Sequence, residues 1–166
     1  MVKKYVVLKT SLILYVSSVP LTCSHGYFAF HGGCFSINTK NMLTWEDALG
    51  QCSSEGGTLA KISREGLRYA FTDLLEEMRP KPEQLHFGLL AQDSWVWIDG
   101  SPFSDSLWLS GYPSAYHGIQ SCAVLSAGSS GIKNIDCRLK MYPLCQKKLG
   151  RLEGIHLDKI QSYLLL

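Results

Sequence analysis

The chain has 166 residues, with 46% hydrophobic and 11% aromatic side chains, enough to bury the core of a single domain. Its formal charge is +2 with histidine neutral. No Lys/Arg cluster is dense enough to track a phosphate backbone, so no nucleic-acid partner is expected.

At the N-terminus, Lys3 and Lys4 form a basic region and Ser11–Val19 a short apolar run, with Val16 and Ser18 suited to the −3 and −1 positions of a cleavage site. The expected organisation is therefore a signal peptide over 1–18, followed by a secreted chain. Lys9 interrupts the run, which is shorter than the ~20 residues of a spanning helix, so no transmembrane segment is expected. Cleavage removes three lysines, leaving a net charge of 13 − 14 = −1. Six cysteines in an extracellular chain of this size predict disulfides, although the sequence alone does not choose the pairing. The C-x-x-C and H-x₃-H pairs common in zinc sites are absent.

In chain order, Tyr27, Phe28, Phe30 and Phe35 surround Gly32-Gly33, which predicts a hairpin turning at the two glycines. Cys23 and Cys34 lie towards its ends, where they could clip it. The stretch 43–52 predicts a helix: Thr44 is a good N-cap, Asp47 stands three residues on, and Trp45, Ala48, Leu49 and Cys52 share one face. Ser54-Glu55-Gly56-Gly57 ends it, and 58–62 reads as a short strand. A second helix is expected to be capped by Ser63, to bury Leu67, Ala70, Phe71, Leu74, Leu75 and Met78, and to stop at Pro80 and Pro82.

Residues 85–90 and 95–101 read as strands, with a turn signal at Asp99-Gly100 and with Trp95, Trp97 and Trp108 as core aromatics. A Gly-, Ser- and Tyr-rich loop then runs from Trp108 to Cys137. Residues 122–125 and 141–146 read as closing strands, and Ser126–Gly131 as a flexible small-residue segment. The tail 148–166 has weak helical periodicity broken by Gly150 and Gly154, and is expected to be poorly ordered.

The ordered set of motifs resembles the C-type lectin-like domain family. Leu43-Thr44-Trp45-x-x-Ala48-x-x-x-Cys52-x-x-x-Gly56-Gly57-x-Leu59-Ala60-x-Ile62 is similar to the family's first helix and following strand. His86-Phe87-Gly88-Leu89 stands where the family has Trp-Ile-Gly-Leu. Trp95-x-Trp97-x-Asp99-Gly100-Ser101, then Trp108, resembles the hairpin that leads into the long loop. The match covers roughly residues 23–147. It implies an α+β, disulfide-stapled fold with two helices, two small antiparallel sheets and a long ligand loop. It also implies pairings of Cys52 with Cys145 and Cys122 with Cys137, plus Cys23 with Cys34, the extra bridge of the family's long form.

Sugar-binding members of the family hold calcium in the long loop through a Glu-Pro-Asn or Gln-Pro-Asp triplet, an acid before the third-last cysteine, and a Trp-Asn-Asp triplet before the next. Here the corresponding residues are Tyr112-Pro113-Ser114, Gln120-Ser121 and Ile132-Lys133-Asn134. Calcium takes six to eight oxygens, several of them charged. The departures imply a loop without its metal, so no cofactor is expected. The candidate ligand-binding residues are Tyr112, Ser114, Tyr116, His117, Gln120, Lys133 and Asn134: rigid rings and hydrogen-bonding groups of the kind recognition surfaces favour.

The expected function is a secreted or cell-surface recognition module that binds a protein or a glycan without calcium. A calcium-dependent carbohydrate-binding lectin is one alternative, and a structural or decoy fragment of a larger receptor is another. His25, His31, His86, His117 and His156 are scattered and no hydrolase motif occurs, so an enzyme is not expected.

Overall fold

The computed structural model describes residues 21–114, 121–129 and 131–151. The expected signal peptide over 1–18 lies outside the described residues, as do 152–166 of the tail. In order, the elements are β1 (Leu21–Thr22), β2 (Phe28–Phe30), β3 (Gly33–Ile37), α1 (Trp45–Ser54), β4 (Thr58–Leu59), α2 (Glu65–Glu77), β5 (Gln84–Ala91), β6 (Trp95–Trp97), a 3-10 turn at Asp105–Leu107, β7 (Ser121–Ser126), β8 (Gly131–Asp136), β9 (Tyr142–Lys147) and β10 (Gly150–Arg151).

The β2–β3 hairpin turns one residue earlier than its glycines suggest. Phe30 pairs with Gly33, so the two-residue loop is His31-Gly32, both with positive φ. A tight two-residue hairpin needs that backbone at its centre. Gly33 instead opens β3, where an added Cβ would stand 2.8 Å from the Phe35 ring. The Cys23–Cys34 bridge closes the hairpin.

Helix α1 begins as its sequence predicts. The Thr44 hydroxyl oxygen accepts from the Asp47 backbone N–H at 3.2 Å and donates its own hydrogen to the Asp47 carboxylate at 2.8 Å. Trp45, Ala48 and Cys52 are buried, and the Trp45 indole donates to the Phe87 carbonyl at 2.8 Å, tying the helix to the central sheet. Helix α2 does not use Ser63. The chain stays extended through Arg64, which takes the N-cap position with no side-chain cap bond. Ile62 is fully buried, so the core holds this segment extended for one residue more than local propensity suggests. The strand read at 58–62 is correspondingly short, with only Thr58–Leu59 pairing with β9.

The main sheet runs β2-β3-β9-β5-β7-β8, with β4 also pairing to β9 and β6 to β5. The two antiparallel groups meet where β5 and β9 pair in parallel, Leu85 opposite Tyr142 and His86 opposite Pro143. β6 covers only Trp95–Trp97; Asp99-Gly100 then forms the expected turn, with the Gly100 N–H donating to the Trp97 carbonyl at 2.7 Å. A second, two-stranded sheet pairs β1 with β10, so the first residues beyond β9 run back beside the start of the described chain.

Phe35, Phe71, Phe87, Trp97, Leu125 and Ile132 lie in the larger core cluster, with Trp95 and Trp108 packed at its edge. A smaller cluster places Trp45, Ala48 and Leu59 around the Cys52–Cys145 bridge. The third bridge, Cys122–Cys137, joins β7 to the end of β8. The fold is therefore α+β, with two helices, a mixed sheet and three disulfides paired as the resemblance implies.

Candidate functional site

The second half of the long loop is a β-hairpin. Sequence reading takes Ile132-Lys133-Asn134 as loop, but all three belong to β8, which pairs with β7 along its whole length. Gly131, read as part of a flexible segment, is buried in that strand. A Cβ at Gly131 would fall 2.6 Å from that of Leu109, because the 108–114 segment lies against this strand. Trp108 bridges Ile132 in parallel, and the Leu109 N–H donates to the Ile132 carbonyl at 3.0 Å. Only a residue without a side chain allows that approach.

Asn134 fastens the same segment one turn further on. It is 2% exposed. Its side-chain oxygen accepts from the Ser114 N–H at 2.8 Å and from the Ser114 hydroxyl at 3.2 Å, and its amide donates to the Ser114 carbonyl at 2.8 Å. The two residues are 20 apart in sequence, and no local signal announces the clamp. Between these ties, Tyr112 is half-buried, and its N–H donates to the Leu109 carbonyl at 2.9 Å. The Lys133 ammonium stands over the Tyr112 ring, 5.9 Å from its centroid, within the range of a cation–π contact. The structure thus brings Tyr112, Ser114, Lys133 and Asn134 together. Tyr116, His117 and Gln120 lie outside the described residues.

Asp136, the carboxylate next along β8, is held by Arg138. The guanidinium donates to both carboxylate oxygens, at 3.0 Å from Nε and 2.5 Å from Nη2. These bonds hold the Asp136 carboxyl below the usual carboxylate range. Sequence reading did not single out Arg138, although its position two residues from Asp136 in a turn is the signal that could have found it. On the hairpin that leads into the loop, Lys61 donates to Asp99 at 2.8 Å and also to the Ser101 hydroxyl. The Lys61 contact, followed by two bonds from Ser101, drives the Asp99 carboxyl well below its ordinary value.

His86 is fully buried on β5. Its Nε2 lies 2.9 Å from the Leu139 carbonyl. Burial pushes its pKa down, against the opposing pull of the Leu139 and Leu43 backbone. The sign follows: the native state binds a proton less readily than the unfolded chain, so stability is complete above the unfolded value of about 6.5 and falls as pH drops below it. We expect an NMR titration to give His86 a ring midpoint below 6.5; a midpoint at or above 6.5 contradicts this environment.

The model of the lectin C-type domain matches residues 41–147, and the chain belongs to that family. Human "C-type lectin domain family 17, member A" is 27% identical over 133 residues, covering 77% of this chain and 33% of that protein. Mouse "Killer cell lectin-like receptor subfamily B member 1B allele A" is 31% identical over 138 residues, covering 80% of this chain and 57% of that one. The chain thus spans about a third of the first relative and somewhat over half of the second. Among solved structures, a calcium-independent type II antifreeze protein superposes with a TM-score of 0.66 at 22% identity, over 78% of this chain and 96% of that one. The domain is a non-enzymatic binding module, and its three disulfides suit an extracellular setting.

Proposed function

We infer that this domain is a secreted recognition module that binds a macromolecular ligand, a protein in preference to a glycan, through its long loop and without calcium. In this reading residues 1–18 are a signal peptide, 23–147 the recognition domain, and 148–166 a tail. Tyr112, Ser114 and Lys133, with Tyr116, His117 and Gln120, form the contact surface. Asn134 serves that surface by holding Ser114 in place.

The observation that carries the reading is how the polar groups around β8 are already used. A calcium site needs several free oxygens, some of them charged. Here the Asn134 side-chain oxygen already accepts two hydrogens from Ser114, and Asp136 is engaged by Arg138. Immediately before Asn134 is Lys133, whose cation would oppose a divalent ion. At ~4 Å and an effective dielectric of 20, a unit charge pair interacts by about 4 kcal/mol, and a divalent ion doubles this. The described residues around β8 do not fit calcium. The solved antifreeze protein, which shares this fold, is described as calcium-independent.

The test is a paired screen of a surface-protein library and a glycan array, each in calcium and in EDTA. The expected ligand is a protein whose binding is equal in both buffers and weakened by Tyr112→Ala or Lys133→Ala. Glycan binding abolished by EDTA would favour the calcium-dependent lectin instead.

A further inference from the structure

At the other sequence extreme of the domain, where β1 and β10 pair, the surface carries a cleft of about 830 Å³, within the range of small-ligand sites. Thr22, Ser24, His25, Thr58, Lys147 and Lys148 line it, and none of the described lining residues is an acid. Two features make it a built site. The first is its wall: Cys23 belongs to the cleft, and its bridge to Cys34 fixes that side to β3. The second is the placement of Lys147, whose ammonium lies 4.0 Å from the centroid of the Tyr27 ring and donates to the Ser24 hydroxyl at 3.2 Å. Of the three ammonium hydrogens, that bond uses one.

The carboxylate bonded to the Tyr27 hydroxyl is already engaged. Glu55 accepts from the Tyr27 hydroxyl at 2.8 Å and from the Gln51 amide at 3.3 Å. Burial, and then Glu55, push the Tyr27 pKa up to about 12, so the phenol remains a donor to Glu55 at physiological pH. The cleft itself therefore presents two adjacent lysines, a histidine and a rim of hydroxyl groups.

We propose that this cleft binds a sulfated saccharide, independently of the long loop. The charged groups of such a ligand meet Lys147 and Lys148, and its hydroxyls meet Thr22, Ser24 and Thr58. A peptide is a poorer occupant, because the lining offers few apolar side chains to receive its own. Since the lysines act as point charges near solvent, binding weakens as salt rises.

The test is isothermal titration of the full chain, as secreted, with a heparin-derived hexasaccharide. Its desulfated form, which keeps the carboxylates, and a hyaluronan hexasaccharide are the controls. Lys147→Ala/Lys148→Ala should weaken binding of the sulfated probe about tenfold or more, a loss of ~1.4 kcal/mol per decade. The double Arg variant should retain it, and Lys133→Ala on the long loop should leave it unchanged. Lys148→Glu alone, at an exposed position, should weaken binding while circular dichroism remains native. Each control should bind about tenfold more weakly than the sulfated probe. The proposal is overturned by no binding to wild type at low salt, by equal binding to the double Ala variant, by equal binding of the desulfated form, or by loss in Lys133→Ala alone.

Discussion

The Cys52→Ala/Cys145→Ala variant is expected to lose about 4 kcal/mol of stability, and its Tm to fall by about 10 °C or more. The bridge closes a loop with a sequence separation of 93, and the chain-entropy model assigns ~4.7 kcal/mol to a loop near 100 residues. Position adds to length. Cys52 is on α1 and Cys145 on β9, the strand that pairs with β3, β4 and β5. Both cysteines are essentially unexposed, in the cluster that includes Trp45 and Leu59. Two alanines there also leave volume that the neighbours cannot fully reclaim. Removing Cys122–Cys137, at a separation of 15, should cost less, about 3 kcal/mol in the same model. Parallel thermal and denaturant melts give the ranking. A larger loss from the shorter bridge would mean that chain entropy is not the governing effect.

Asn134→Ala is expected to cost about 2–3 kcal/mol, from three hydrogen bonds each worth about 1 kcal/mol net. Ligand binding through the loop should weaken at least about tenfold, because Ser114 then loses its three hydrogen bonds to β8. Asn134→Asp separates this clamp from a vestigial metal ligand. The aspartate keeps one acceptor for the Ser114 N–H but turns a second oxygen towards the Ser114 carbonyl, which now receives the amide hydrogen. It also places a charge at a position 2% exposed, which is costly without a partner. The Asp variant should therefore be at least as unstable as the Ala variant. A native-like melt and tighter binding in calcium would identify position 134 as a metal ligand instead.

The clearest sequence signals were those in which local chemistry and tertiary packing agree. Thr44 caps α1 because its hydroxyl needs only the next turn of the chain, and Trp45, Ala48 and Cys52 recur at the helical period of the face they bury. The legible disulfide frame came from resemblance, not from periodicity. Elsewhere packing overrode the local signal. Ser63 is a good cap residue, yet the buried Ile62 holds the chain extended past it. Gly32-Gly33 marks a turn, but the register of Phe30 on Gly33 moves its centre to His31-Gly32. β8 was hidden because it lacks a period of two: Ile132 and Ile135 are both buried and lie on opposite faces, since the 108–114 segment packs along a strand that would otherwise be a free edge. Of the candidate site, residue types were legible, but their roles were not. Nothing local distinguishes the half-buried Lys133, beside Tyr112, from Asn134, buried and bonded to a serine 20 residues away.

The most direct measurement of the central claim, a recognition loop without its metal, is a calcium titration of the folded chain followed by calorimetry and by Tm. Extracellular calcium modules bind with Kd of about 0.1–1 mM. At 100 times Kd, such a site would add about 2.7 kcal/mol of stability, a shift of several degrees. The account predicts no saturable heat and an unchanged Tm up to 10 mM calcium. A saturable isotherm accompanied by a rise of several degrees would contradict it.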